Sequence, residues 1–193
     1  VIDKGTDGAG TNPNKNAETP ISGKFVDFIN PDVTYIYAES AQADPGDINY
    51  EGKTFTMVFE ITDKYFASSV LDIDDLIIKI DGETPDWREA GETTGVTKNL
   101  TIEDVKATFN KTVGGVVVND EYVIGKRYTL VLSNLEQLQI KSGDQYLDYS
   151  GVITVAIPAG EIDASGNLIS GAMDSSENLN DAVTITSGID IPG

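Results

Sequence analysis

Acidic and amide side chains crowd the last quarter of the sequence. Residues 142–193 contain eight Asp and Glu residues and no Lys or Arg. Ca²⁺ prefers carboxylate, amide and carbonyl oxygens and takes about six to eight of them. The candidate metal ligands are Asp163, Asn167 and Asp174, on two loops that could face each other near one end of the domain. The EF-hand pattern D-x-[DN]-x-[DN]-G is not present, and the alternative is a solvated acidic face.

The only tryptophan marks a second candidate site. Trp87 lies in the loop-like sequence Thr84-Pro-Asp-Trp-Arg88, and an exposed indole beside Arg88 can stack on a sugar ring. The alternative is a tryptophan that covers the edge of the hydrophobic core. The predicted ligand-binding residues are therefore Trp87 and Arg88.

Paired carboxylates are expected in so acidic a chain, and none has the spacing of an acid–base pair. Asp72, Asp74 and Asp75 lie close together, where carboxylates at the start of a helical turn would face its free N–H groups. This interpretation is favoured over a glycosidase centre, which needs two carboxylates across a cleft.

A covalent crosslink between a lysine and a late Asn or Asp is a further alternative. The candidate partners are Lys24 or Lys53 on one side and Asn180 or Asp181 on the other. Both lysines lie at predicted strand starts, where a solvated ammonium group is the usual state.

Composition removes many other functions. The chain has 193 residues, 32 Asp and Glu against 13 Lys and Arg, a net charge of −19, no His and no Cys. General-base histidines, thiol nucleophiles, disulfides and zinc–thiolate sites are therefore excluded. The charge disfavours nucleic acid and anionic membranes as partners, and no apolar run is long enough to span a bilayer. We expect a protein that is not an enzyme.

Alternating apolar residues predict short β-strands. Phe55, Met57, Phe59 and Ile61 fall on one face of a strand over 53–63, and residues 76–80, 128–132, 153–157 and 183–185 show similar spacing. Residues 1–20 are rich in Gly, Pro and Asn and read as a linker or N-terminal arm. Eight to ten strands with turns between them predict an all-β antiparallel sandwich over residues 21–193.

Local signals complete the expected architecture. Asn119-Asp120 separates two β-rich runs and predicts a two-residue hairpin turn. Residues 71–80 and 100–109 share the pattern L-x-I-acid-D-aliphatic and predict one or two single-turn helices, each feeding a strand. We interpret residues 83–111 as an excursion, a segment inserted into the sandwich.

The order of these segments resembles the bacterial immunoglobulin-like repeats of large cell-surface proteins and adhesins. The segments with this resemblance are Phe25–Tyr35, Lys53–Asp63 followed by Leu71–Asp75, Gly125–Leu132, and Ile153–Asn167 with its D-x-x-G-N corner. The resemblance covers residues 21–191, and the chain is larger than the usual sandwich of about 100 residues.

The resemblance implies an immunoglobulin-like β-sandwich in an extracellular, bacterial cell-surface protein. Its expected function is that of a spacer or presentation module, with neighbouring repeat modules of the same chain as partners. The alternative is a module that binds carbohydrate or a host ligand through the Trp87 region. No cofactor follows with certainty, and calcium is the one candidate.

Overall fold

Antiparallel β-strands make up the fold. The computed structural model describes residues 27–42, 53–135, 139–142, 145–148 and 152–190. The strands are β1 (Asp32–Gln42), β2 (Lys53–Thr62), β3 (Phe66–Ser69), β4 (Ile77–Ile80), β5 (Thr97–Val113), β6 (Val116–Ser133), β7 (Gln139–Ser142), β8 (Gln145–Asp148), β9 (Val152–Ile157), β10 (Glu161–Ile162), β11 (Leu168–Ser170), β12 (Ala172–Asp174) and β13 (Val183–Asp190). The predicted linker over residues 1–20 lies outside the described part.

The all-β prediction is confirmed, and the predicted helical turns are not. The described residues contain no α-helix, and hence no helix with the length and apolarity to cross a membrane. Residues 72–75 form a turn closed by Asp72, whose Oδ1 accepts the N–H of Asp74 at 2.8 Å. The second predicted turn, at 101–104, is wrong because those residues lie within β5, paired with β6.

Strand β2 lies at the centre of the larger sheet, whose order is β1-β2-β6-β5. Its predicted inner row, Phe55, Met57, Phe59 and Ile61, is fully buried, as the alternation of apolar and polar residues requires. Pairing with β6 sets Phe59 opposite Tyr128, and their rings stack with centroids 5.0 Å apart. The β2–β6 pair therefore forms one wall of the core.

The second wall is a three-stranded sheet in the order β13-β9-β4. Its buried residues belong to the same hydrophobic cluster as the inner row of β2 and β6. They are Ile78, Ile80, Ile153, Val155, Ile157 and Ile185. Shorter pairs, β12-β3, β10-β11 and β7-β8, complete the described structure. Two antiparallel sheets thus enclose a single core, as in a β-sandwich.

Strands β5 and β6 form a hairpin far longer than the predicted elements. Its turn is Gly114-Gly115, where both φ angles are positive (60° and 83°), as a type I′ turn requires. The predicted turn at Asn119-Asp120 is wrong, because both residues lie inside β6 and pair with Asn110 and Phe109. The predicted excursion over 83–111 is a loop only as far as Val96, after which the chain is strand β5.

The hairpin leaves the sheet at Gly125. Strand β2 pairs with β6 only from Leu132 to Gly125, and a bulge opposite Val105 and Lys106 marks this point. Beyond it, residues 106–123, which we call the arm, pair only with each other among the described strands. A Cβ at Gly125 would lie 2.2 Å from the carbonyl oxygen of Ile61, so the sheet requires glycine here.

We expect Gly125→Ala to destabilise the protein by about 1–3 kcal/mol, the usual range for an overpacked site. The clash is with backbone, so β2 and β6 have to separate at the base of the arm. The measurement is the free energy of unfolding in urea.

Gly188→Ala is the matched control. A Cβ at Gly188 meets nothing within 4 Å, and the change should stay within about 0.5 kcal/mol. Equal stability of the two variants would contradict the close approach at Gly125.

Candidate functional site

Three carboxylates from separate parts of the chain meet at one end of the sandwich. They belong to Asp27 before β1, Asp63 after β2 and Asp174 at the end of β12, and one oxygen from each lies within 4.8 Å of the others. We call these three residues the acidic triad. Of its members, the sequence singled out only Asp174.

Asp174 is held by a tight five-residue loop. It is buried, and its Oδ1 accepts the N–H groups of Ser176 (2.7 Å) and Asn178 (2.8 Å). The side-chain amide of Asn178 donates to Oδ2 at 2.8 Å. The carboxylate charge is therefore satisfied by donors within its own loop, which keeps a buried acid tolerable.

The same loop holds the incoming chain. The amide of Asn178 also donates to the carbonyl of Asp27 at 2.8 Å, and Ser176 Oγ accepts the N–H of Asp27 at 3.3 Å. Asp27 is placed in the triad by these contacts to its backbone. The triad thus lies where the segment before β1 meets the body of the domain.

Asp63 begins the turn between β2 and β3. Its Oδ1 accepts the N–H of Tyr65 at 2.6 Å. Burial raises the pKa of the Asp63 carboxyl, the hydrogen bond from Tyr65 opposes this, and the charges of Asp174 and Asp27 raise the pKa further. None of the ion pairs found among the described residues involves the triad, so its charges face one another.

Asp163 and Asn167 lie in a second copy of this loop. Asp163 Oδ1 accepts the N–H groups of Ser165 and Asn167, at 2.8 and 2.9 Å, and Asn167 donates its amide to Asp163 Oδ2 at 2.9 Å. Residues 163–167 and 174–178 share the pattern D-x-S-x-N, and the fourth residue has a positive φ in both (83° and 68°). The loop at residues 163–167 joins β10 to β11 and is mostly exposed, whereas the loop at residues 174–178 packs against the segment before β1.

The structure therefore divides the three predicted metal ligands. Asp163 and Asn167 are partners of each other in one turn, and Asp174 joins Asp27 and Asp63 instead. The signal that sequence reading missed is the recurrence of D-x-S-x-N. Asp27 and Asp63 have no comparable signal, because only tertiary structure brings them to Asp174.

Trp87 lies against the core and under a lysine. It is half-buried, packs on the hydrophobic cluster and bridges to Val96. Lys98 Nζ lies 5.7 Å from the ring centroid and 2.8 Å from Asp74 Oδ1, so an ion-paired ammonium occupies one face of the indole. Arg88 donates its Nε–H to the carbonyl of Glu92. These contacts suit the core-edge interpretation, and ligand binding by Trp87 and Arg88 stays a prediction.

A crosslink from Lys53 does not fit the described geometry. Lys53 begins β2, roughly 30 Å from Asp63 at the rise of an extended strand. Asn180 lies at the Asp63 end, where it accepts the N–H of Ala172 and donates to the carbonyl of Pro158. Lys53 is also buried, not solvated as expected. Lys24 lies outside the described residues.

Comparisons with known proteins add no assignment. No protein-family model, no curated protein and no solved structure matches the chain.

We expect Asp63→Asn to raise stability in metal-free buffer at pH values above the raised folded-state pKa of the Asp63 carboxyl. Below the ordinary value of 3.8 the group is protonated whether the chain is folded or not, and it contributes no penalty. As pH rises through the raised folded-state pKa, the native state has to hold an ionised Asp63 carboxylate that is solvated less well than in the unfolded chain. The free energy of unfolding therefore falls. The wild type should lose this stability and the variant should not, by urea unfolding across pH.

Asp163→Asn is the control of opposite sign. Its hydrogen bonds, first from the Asn167 side chain, lower the pKa of the Asp163 carboxyl. Its contribution is present above 3.8 and lost as pH falls through the folded-state pKa, so this variant should be less stable than wild type at neutral pH. Identical pH profiles for the two variants would contradict the crowding of charge at the triad.

We expect any Ca²⁺ that the domain binds to lie at the acidic triad. Three carboxylate oxygens that lie within 4.8 Å of one another have the donor chemistry of a Ca²⁺ site. Binding with a millimolar dissociation constant would add about 1–2 kcal/mol at about 10 mM Ca²⁺, seen as a higher melting temperature than in EDTA. Asp63→Asn should abolish the difference and Asp163→Asn should keep it. The same melting curve with Ca²⁺ and with EDTA excludes the site.

Proposed function

We propose that this chain is an immunoglobulin-like spacer or presentation module of a bacterial surface or adhesin-like protein, without enzymatic activity. Its function would be mechanical: it holds a distal binding region away from the cell. The observation that supports this best is the path of the backbone, which enters the sandwich at one end and leaves at the other.

The entry is fixed by contacts on both sides of the chain. Asn178 donates to the carbonyls of Asp27 and Ile29, and the amide of Asn30 donates to Asp181 Oδ1 at 3.4 Å. Strand β1 starts directly afterwards at Asp32. Because Asp181 lies two residues before β13, strands β1 and β13 start side by side.

The exit follows from the length of β13. Its eight residues extend roughly 25 Å at the rise of a strand. Asp190 pairs with Val152, whose carbonyl accepts the N–H of Asp81, so this end of β13 lies beside the turn after β4. The chain therefore leaves at the end opposite the acidic triad.

This arrangement resists extension. A force that pulls on the start of β1 and the end of β13 acts along both strands, whereas their hydrogen bonds to β2 and β9 lie across the strands. The ten residue pairs between β1 and β2 are then loaded together instead of one after another. A module strung end to end with copies of itself needs this behaviour.

The acidic composition suits the same setting. With a net charge of −19 the chain stays soluble and repels nearby copies of its own surface. Neighbouring repeat modules are the proposed partners, joined through the two ends, and the extracellular location is part of the proposal. The two facing antiparallel sheets support the immunoglobulin-like class, while the long hairpin distinguishes this module from the usual sandwich.

Single-molecule pulling tests the proposal, and the lack of cysteine in the chain makes attachment points easy to define. The double variant Phe28→Cys, Gly188→Cys places handles on exposed residues near the two ends. We expect one cooperative unfolding event that releases about 55 nm of chain, the extended length of the intervening residues.

The matched control pulls from one end only. Phe28→Cys with Lys64→Cys loads the β1–β2 pair where it begins, at Asp32 opposite Thr62, and peels it open pair by pair. The end-to-end variant should unfold at a markedly higher force. Equal or lower force for the end-to-end variant would overturn the spacer proposal.

A further inference from the structure

One face of the arm is apolar and exposed. Phe109, Val113, Val116, Val118 and Tyr122 share it, with exposed fractions between 39% and 65%. The pairing register sets them in four successive rows, from Ala107 opposite Tyr122 to Val113 opposite Val116. The Phe109 and Tyr122 rings touch edge to face, with centroids 5.5 Å apart, which confirms that they lie on the same face.

The opposite face of the arm is mostly polar. It carries Thr108, Asn110, Thr112 and Asn119, with an ion pair between Lys106 and Glu121 at 3.7 Å. Residues of both faces are exposed, apart from intermediate burial at Ala107 and Asp120. The arm is therefore a two-stranded ribbon with one side suited to a sandwich core, and that side is left exposed by the part of the chain that the structure describes. This combination marks an interaction surface.

We propose that the arm binds a second copy of this chain, apolar face against apolar face. The two copies are related by a two-fold axis, and the two arms run in opposite directions. The tip of each arm then covers the base of the other, and the four strands form a small sandwich between the two bodies. This self-association goes beyond the spacer function.

Charge along the chain favours a second copy as the occupant. Strands β5 and β6 contain five Lys and Arg against four Asp and Glu, a net charge of +1, while the rest of the chain carries −20. Two bodies of this acidity repel each other. Two copies can bring their hairpins together without this electrostatic repulsion, because the hairpin strands are nearly neutral. The arms then keep the two acidic bodies apart.

The charged residues of the apolar face fix the direction of the stack. Lys111 and Asp120 lie in adjacent rows, and within one copy Lys111 Nζ is 3.2 Å from Asp120 Oδ2. In the antiparallel arrangement, the row of Phe109 and Asp120 lies over the row of Lys111 and Val118. Each Lys111 then meets Asp120 of the other copy. A parallel stack would bring like charges together, so the face is complementary to itself in one direction only.

The size of the face predicts a weak dimer. Four rows of a two-stranded ribbon cover roughly 25 Å by 10 Å, at the usual strand spacings. The buried area is then below about 1,200 Å² in total, the range of transient interfaces. We expect a dissociation constant of roughly 0.1 mM, which becomes effective where many copies lie close together.

Sedimentation velocity of the whole chain tests the proposal, from about 10 μM to about 1 mM at about 0.15 M salt. Val116→Thr should weaken the dimer about tenfold, because each dimer contains the change twice. Val117→Thr is its matched control, a neighbour of nearly equal exposure (63% against 65%) on the other face, and should change the affinity less than about twofold. Both residues are exposed, so the monomer fold should be kept, as checked by the melting temperature.

Charge reversal tests the direction of the stack. Lys111→Asp and Asp120→Lys should each abolish self-association, since all four central charges then have one sign. A mixture of the two variants should form a heterodimer, because the two acidic positions of one copy then face the two basic positions of the other.

Three results would overturn the proposal. They are a wild type that stays monomeric at about 1 mM, an equal loss of affinity in Val116→Thr and Val117→Thr, and a mixture that stays monomeric. In the first case the apolar face serves a different partner or none.

Discussion

The pairing of β2 with the second half of β6 is the constraint on which the rest of the structure depends. Every inward residue of this pair is buried, from Phe55 to Ile61 on one strand and from Tyr128 to Leu132 on the other. Side chains of this size gain about 1.5–3 kcal/mol each from burial. The register that aligns them also places Thr62 against Gly125, so the entry, the acidic triad and the base of the arm all meet where this pairing ends.

Period-two patterning predicted this part of the fold well, since alternation is a local property that burial of one face enforces. Two other predictions failed for a shared reason. Ile102, Val105 and Phe109 have the spacing of a helix, whereas Val105, Ala107 and Phe109 have the spacing of a strand, and pairing with β6 decides for the strand. Asn119-Asp120 and Gly114-Gly115 both suit a hairpin turn. Which of the two forms the turn depends on the length over which β5 pairs with β6, and the local sequence does not encode that length.

The candidate site shows the same division between local and long-range information. Asp163 and Asn167 share one turn, because D-x-S-x-N closes on itself through its own hydrogen bonds. The triad joins residues 27, 63 and 174, and their proximity depends on the register of both sheets. Trp87 was ambiguous for a physical reason: an indole at a core edge and one in a binding site have the same loop-like sequence around them.

The long hairpin also has a consequence for how the chain folds. Its turn is two residues, so closing it costs little entropy, whereas the β2–β6 pairing closes a loop of about sixty residues. We expect the hairpin to form within microseconds and to serve as the template on which β2 later docks. The apolar face of the arm is then exposed from the earliest moments of folding. Lys111 and Asp120 would act at that stage as gatekeepers against the apolar strands of other proteins, which lack the complementary charges.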